Sequence, residues 1–257
     1  MKTIVIENVN DFNRMHEEEE KAQNEKYYYE VVIRDGVTAI PKEAFKECLL
    51  LSKVIIADSV TEIGDNAFEH CGIENIDIPY SVTTIGWGAF KSCYWLKYVS
   101  LVAKIDKIPG ECFAGTAIET IAIPDSVKEI EPCAFECTQL EYLIMPDSVT
   151  KIWYKTFNKC SLLKDVKLSK NITAIPFQCF ENCHRLKRIE IPDSVTEIDS
   201  AFNYCRSLSE ITIPESVKEI AYGAFRGTCI FPTSVPERFR TENTFAKGDL
   251  RIFCDYN

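Results

Sequence analysis

Apolar and polar positions follow one pattern that recurs along most of the chain. A leading apolar residue is followed by two more with a polar residue between them, as in Leu186, Ile189 and Ile191. This spacing predicts a short strand whose isoleucines face inward and whose intervening residues face outward. A proline such as Pro192 then ends the strand, because proline has no amide hydrogen to donate.

A second apolar pair follows each strand, as at Val195 and Ile198, and predicts another short extended segment. Beyond it the chain reaches an Ala-Phe pair, which we expect in a 3₁₀ or helical turn with the ring between layers. The phenylalanines recur every 22 or 23 residues: Phe45, Phe68, Phe90, Phe113, Phe135, Phe157, Phe180, Phe202 and Phe225.

Units this short cannot bury their own apolar side chains, so they must stack on one another in a solenoid with parallel strands. We predict three parts: an N-terminal cap over residues 1–27, nine repeats over residues 28–229, and a truncated repeat with a cap over residues 230–257. Tyr28 is taken as the leading apolar residue of the first repeat. The eighth repeat is one residue short between Ile198 and Phe202, which predicts a tighter turn there.

The repeat frame resembles the BspA-like class of leucine-rich repeats. The segment IPDSVTEIDSAFNYC, from Ile191 to Cys205, is close to the consensus of that class. The resemblance implies a right-handed, curved leucine-rich-repeat solenoid with short parallel strands on its concave face. It also implies adhesion or protein binding, often at the cell surface of bacteria or anaerobic protists, and it supplies no catalytic residue.

The two ends of the chain differ from the repeats. Thr3–Ile6 alternates like a strand, and the polar stretch from Asp11 to Lys26 carries Phe12 and Met15 with helical spacing. We predict a strand and a helix that cap the first repeat, because an open solenoid end must be covered. The alternative is a partly disordered acidic arm. Leu250–Cys254 is predicted to be a closing strand.

Charge and hydropathy exclude several partners. The net charge of −10 argues against nucleic acid, since binding to phosphates needs a basic surface. No stretch approaches the roughly 18 apolar residues of a membrane span. The first residues lack the apolar core of a secretion signal, which favours the cytoplasm, while the family resemblance leaves the cell surface or secretion open.

Twelve cysteines are the unusual feature of the composition. Six lie three residues after a repeat phenylalanine, and we place Cys137 on the same ladder, one residue early. In-register side chains point the same way, so they are poorly placed for disulfides, and a small buried residue at a tight turn explains them. The six are Cys48, Cys71, Cys93, Cys160, Cys183 and Cys205, with Thr116 and Thr228 on two further rungs.

Metal and enzyme sites are weakly supported. Cys133 with Cys137, and Cys179 with Cys183, have C-x-x-x-C spacing, but a structural zinc site needs four tetrahedral ligands. His70 and His184 have no evident carboxylate partner for thiol catalysis. We therefore expect no catalytic residue, metal or cofactor, and keep a thiol or metal-dependent enzyme as a remote alternative.

Outward side chains of the strands are the candidate interaction surface. Tyrosine and arginine are enriched where protein interfaces gain their energy, and an aromatic centre is predicted around Tyr98 and Tyr142. The predicted function is a non-catalytic protein-interaction module whose partner is unidentified, or alternatively an adhesin for host or matrix proteins. The candidate residues are Lys53, Asp77, Tyr98, Ser100, Thr120, Tyr142, Ile144, Asp165, Lys167, Arg188, Glu190 and Glu210.

Overall fold

A computed structural model describes residues 2–231 and 234–240. The chain divides into two compact units, Met1–Val127 and Lys128–Asn257. Each unit is built from coils that contribute short parallel strands, so the predicted repeat solenoid is confirmed within each of them. The predicted closing strand at Leu250–Cys254 lies outside the described residues.

The N-terminal segment forms a cap of one strand and two helices. Strand β1 spans Lys2–Ile6, a 3₁₀ helix spans Val9–Arg14, and helix α1 spans Met15–Glu25. Asn8 begins the 3₁₀ helix with a capping box, in which its side chain and that of Asp11 each accept a backbone amide. The strand and helix predicted for this segment are confirmed, and the alternative of a disordered acidic arm is wrong.

In the first unit, the long strands of successive coils form one parallel face and the two-residue strands form another. Besides β1, the strands are β2 (Tyr29–Ile33), β3 (Ala39–Ile40), β4 (Leu51–Ile55), β5 (Glu62–Ile63), β6 (Asn75–Ile78), β7 (Thr84–Ile85), β8 (Tyr98–Leu101) and β9 (Lys107–Ile108). Strand β1 pairs with β2, which pairs with β4, while β6 pairs with β8.

The second unit repeats this arrangement. Its strands are β10 (Glu129–Ile130), β11 (Tyr142–Ile144), β12 (Lys151–Ile152), β13 (Asp165–Lys167), β14 (Ala174–Ile175), β15 (Arg188–Glu190), β16 (Glu197–Ile198), β17 (Glu210–Thr212) and β18 (Glu219–Ile220). Strand β11 pairs with β13 and β15 pairs with β17, all parallel. A short 3₁₀ helix spans Glu237–Phe239.

The first repeat begins one residue later than predicted. Tyr29, not Tyr28, pairs with Leu51, and it is fully buried while Tyr28 is 62% exposed. Val31 and Ile33 fix this phase, because inward residues of a strand alternate with a period of two. The cap supplies a partner for the buried phenol, since the Tyr29 hydroxyl donates to Glu19 over 2.9 Å.

The segment around each phenylalanine is held by amides that donate to carbonyls three residues earlier, as expected of a 3₁₀ turn. In the first repeat Ala44, Lys46 and Cys48 make these bonds. However, residues two before and two after the phenylalanine, such as Glu43 and Glu47, have positive φ, so no continuous helix forms. Alternate amides then donate to the next coil, as in the 2.7 Å bond from Phe45 N to Ala67 O.

The phenylalanine rings stack along the inside of both units. Neighbouring centroids are 5.0 Å apart between Phe45 and Phe68 and 5.8 Å apart between Phe202 and Phe225, with ring planes nearly parallel. Phe12 of the cap ends the stack in the first unit by meeting Phe45 edge to face. The rings therefore fill the space between layers as predicted.

The tightened turn of the eighth repeat is confirmed. Ala201 N donates to Asp199 O, two residues earlier, over 2.6 Å. The equivalent amide in the first repeat, that of Ala44, reaches back three residues. Losing one residue between Ile198 and Phe202 thus shortens the turn and leaves Phe202 fully buried in the stack.

Candidate interaction surfaces and the cysteine ladder

Strands β4, β6 and β8 give the first unit an exposed sheet face. Asn75 lies opposite Tyr98, and Asp77 lies opposite Ser100, in the parallel register of β6 and β8. Tyr98 is 69% exposed. Lys53, Asp77 and Ser100 are exposed as predicted, whereas Thr120 is exposed in a segment between β9 and β10 that is not a strand.

The second unit carries a groove of about 960 Å³ across the outer face of β11, β13, β15 and β17. Its exposed apolar residues are Tyr142 and Ile144 on β11, at 49% and 68% exposure. The groove is also lined by the other predicted residues of this unit, Asp165, Lys167, Arg188, Glu190 and Glu210. It extends into the turn after β15.

Register arranges the groove side chains in two rows. Tyr142 lies opposite Asp165 and Arg188 opposite Glu210, while Ile144 lies opposite Lys167. The Arg188 guanidinium contacts the Asp165 carboxylate over 3.4 Å, which neutralises both charges inside one row. This pair is exposed, so it contributes little to stability and mainly fixes side-chain position.

The Tyr142 ring lies close to a neighbouring ion pair. Lys164 donates to Glu141 over 2.8 Å, and its ammonium lies 5.6 Å from the centroid of the Tyr142 ring. The hydrogen bond to Glu141 raises the pKa of Lys164, so the lysine stays charged. A half-exposed tyrosine next to a cation is a suitable anchor for a partner.

Other exposed aromatic residues lie away from the sheet faces. Tyr154, Phe177 and Tyr222 occupy the position two residues after the isoleucine of β12, β14 and β18. Two side-chain contacts fix the position of the Trp153 ring. The Lys151 ammonium lies 3.7 Å from its centroid, and the indole nitrogen donates to the Glu129 carboxylate over 3.3 Å. Trp153 is half-buried, whereas Tyr154 is exposed.

The cysteine ladder exists, but one predicted rung is wrong. Thr138, three residues after Phe135, is fully buried and donates to Phe135 O over 3.0 Å. Cys137 is exposed and has a φ of +60°, so it lies outside the ladder. Buried rungs such as Cys93 and Cys160 donate to a phenylalanine carbonyl of the preceding coil, at 2.8 Å and 3.1 Å.

The buried thiols are poorly suited to nucleophilic chemistry. Burial raises the pKa of Cys48, Cys93 and Cys160 to about 12, whereas a reactive thiol needs a lowered pKa. His184 uses Nδ1 to contact Tyr204 O at 3.0 Å. Within residues 2–231 and 234–240, no three histidine, cysteine or carboxylate side chains cluster as metal ligands would.

Residues 19–138 and 128–247 match the family profile described as the BspA-type leucine-rich repeat region, which has six copies. The chain belongs to this BspA-type family. BspA-type repeats generally mediate interactions and are not associated with catalysis. No helix in the part of the BspA-type chain that the structure describes is both long and apolar enough to span a bilayer.

Two solved structures illustrate what this BspA-type chain is similar to. A leucine-rich cell surface protein of Faecalibacterium prausnitzii A2-165 is 34% identical, with a TM-score of 0.54 over 77% of this chain and 57% of that protein. The pneumococcal vaccine antigen PcpA is 23% identical, with a TM-score of 0.57 over 79% and 61%, and shows the fold alone. The chain thus spans less than two thirds of either protein. No curated protein matches it.

Proposed function

We propose that this chain is a non-catalytic protein-interaction module that binds a partner protein on its exposed sheet face. The observation that carries the proposal is the groove of the second unit, where exposed Tyr142 and Ile144 lie beside charged residues. Apolar anchors surrounded by polar groups are typical of binding surfaces. Tyr98 on the sheet face of the first unit is a separate candidate anchor.

Capture of proteins by immobilised full-length chain tests this proposal. Extracts of the source organism and of any host tissue are passed over wild-type protein and over Tyr142→Ala with Ile144→Ala. We expect a specific partner to be retained at least about tenfold less by the double variant, because each anchor typically contributes more than a factor of ten. Tyr98→Ala is compared separately, since it lies in the other unit.

The matched control is Tyr154→Ala with Phe177→Ala, which removes similarly exposed aromatic side chains from outside the groove. Both double variants should unfold at the same urea concentration as wild type, since all four side chains are exposed. Retention that falls equally in the control, or stays unchanged in the groove variant, would contradict a role for the groove.

A surface-exposed adhesin is the second candidate. The supporting observation is the 34% identity to a protein described as a leucine-rich cell surface protein. Protease treatment of intact cells tests it, because a displayed chain is degraded while a cytoplasmic marker survives. Survival of this chain together with the marker would favour the cytoplasmic location instead.

A further inference from the structure

Successive strands of the groove in the second unit present different chemistry. Strand β11 presents Tyr142 and Ile144, β13 presents Lys167, β15 presents Glu190, and β17 presents Glu210. The described residues offer no ion-pair partner to Lys167, Glu190 or Glu210, whereas Arg188 and Asp165 pair with each other. On the strands, the unpaired groups therefore run in the order apolar, basic, acidic, acidic, and Asp193 in the turn after β15 adds a further carboxylate at the acidic end.

Strand spacing converts this order into distances. Neighbouring parallel strands lie about 4.8 Å apart, so Lys167 is displaced about 5 Å from Ile144 across the strands and Glu190 about 10 Å. Glu210 is displaced about 14 Å across the strands but lies in the row of Arg188, about 7 Å along the strand from the row of Glu190. An extended polypeptide advances about 3.3 Å per residue, and side chains on one side of it recur every two residues, about 6.6 Å. Three such side chains therefore span the groove from Ile144 to the two glutamates.

We propose that the groove binds an extended segment of a partner protein with an apolar, an acidic and a basic side chain at positions i, i+2 and i+4. The apolar side chain packs on Tyr142 and Ile144, the acidic one faces Lys167, and the basic one lies between Glu190 and Glu210. This rests on the proposed function and specifies the partner segment. Charge complementarity of this kind sets register and excludes segments with the opposite order.

Peptides of one composition test the charge order. Fluorescent nonapeptides containing Leu-x-Glu-x-Lys are compared with nonapeptides containing Leu-x-Lys-x-Glu. Each pair is also made with the sequence reversed. Fluorescence anisotropy measures the affinity of each peptide for the full chain at low salt. In one of the two chain directions, we expect the peptide with the central glutamate to bind about tenfold more tightly than the peptide with the central lysine. In the weaker peptide the lysine faces Lys167 and the glutamate faces Glu190 and Glu210, so both attractions are replaced by repulsions. Its advantage should shrink as salt screens the charges.

A charge swap in the protein provides the reciprocal test. Lys167→Glu with Glu190→Lys should remove or reverse the peptide preference. The control swap Glu197→Lys with Lys218→Glu changes exposed charges at the short-strand side and should leave the preference intact.

Three results would overturn the inference: equal affinity for both charge orders, no binding of either peptide at millimolar concentration, or an unchanged preference in the groove swap. None of them bears on capture of a whole partner through Tyr142 and Ile144. The charge-order inference and the sheet-face function therefore fail separately.

Discussion

A single glycine determines where the Trp87 ring lies in the first unit. A Cβ atom added at Gly110 would lie 2.2 Å from Cζ3 and 2.3 Å from Cη2 of Trp87, well inside van der Waals contact. The Gly110 backbone is outside the left-handed region, so alanine is conformationally allowed and only the indole opposes it. The indole is thus seated against backbone, and it stays 42% exposed.

Gly110→Ala should therefore destabilise the protein by about 1–3 kcal/mol, as an overpacked site does. Urea unfolding measures the change, and the tryptophan emission should shift as Trp87 moves. In a Trp87→Ala background the same substitution should cost less than about 0.5 kcal/mol, because the clashing group is gone. Equal costs in the two backgrounds would show that the ring is not the obstacle.

The buried thiols make stability depend on alkaline pH. Folding raises the pKa of Cys160 from 9.0 to about 12 through burial, so the folded state keeps a proton that the unfolded chain loses. The stability is fully present below pH 9 and is lost as pH rises toward 12. The slope for one thiol is at most about 1.4 kcal/mol per pH unit.

Cys160→Thr removes the contribution of this thiol to the pH dependence. Threonine is tolerated at the equivalent position of two other repeats, Thr116 and Thr138. Urea unfolding at pH 8, 9.5 and 10.5 should show wild-type stability falling more steeply than that of the variant, by up to about 1.4 kcal/mol per unit. Cys137→Ser, at an exposed position, serves as the control and should alter the slope much less. Parallel curves for wild type and Cys160→Thr would contradict the assignment.

Two residue assignments show what sequence reasoning missed. Residue type favours Cys137 for the ladder, but the spacing from Phe135 selects Thr138, which is the buried residue. Tyr28 is one of three adjacent tyrosines, and only the phase of Val31 in β2 identifies Tyr29 as the buried one. In both cases position in the repeat was more reliable than chemical identity.

At the scale of an element, the turn around each phenylalanine depends on left-handed residues that are mostly not glycine. Lys155 and Lys159 flank Phe157 with φ of 57° and 58°, and glycines take these places only around some phenylalanines, as at Gly88 and Gly115. The sequence could not reveal this, because charged residues at such φ values are uncommon. Hydrogen bonds to the next coil, such as Lys159 N to Glu181 O at 2.7 Å, stabilise the conformation.

Substitution at Lys159 tests this strain. Lys159→Val should destabilise the protein by about 1–2 kcal/mol, because a branched side chain opposes positive φ, while Lys159→Gly should be neutral or slightly stabilising. Lys167→Val on strand β13 is the matched control and should change the free energy of unfolding by less than about 0.5 kcal/mol. Similar losses for both valine variants would mean that the backbone at Lys159 is not strained.

The interaction surface was predictable only in part. Alternation along the strands identified the outward positions, and Tyr142, Ile144 and Lys167 are exposed there. The groove and its order of charges depend on which residues lie opposite one another, and therefore on register between coils. A repeat length that varies between 22 and 23 residues shifts that register in ways the sequence pattern alone does not resolve.

At the scale of the whole molecule, a repeat protein needs its open ends covered, because an exposed coil presents apolar rings and unpaired strand edges. In the first unit the cap meets both needs. Strand β1 pairs with β2, and Phe12 covers Phe45 at a centroid distance of 5.5 Å. Glu19, although part of an acidic run, is buried and accepts from the Tyr29 hydroxyl and the Leu50 amide.

Deleting residues 1–26 should therefore expose the first coil and cause the protein to self-associate through it. We expect light scattering coupled to size exclusion to show a higher mass than for the full chain, with a lower urea midpoint. Glu19→Ala is the intermediate variant. Its free energy of unfolding should fall by about 1–3 kcal/mol, because Tyr29 and Leu50 lose their buried acceptor. Its mass should equal that of the full chain, since β1 still covers β2. An unchanged mass and midpoint after the deletion would show that the first coil is stable without its cap.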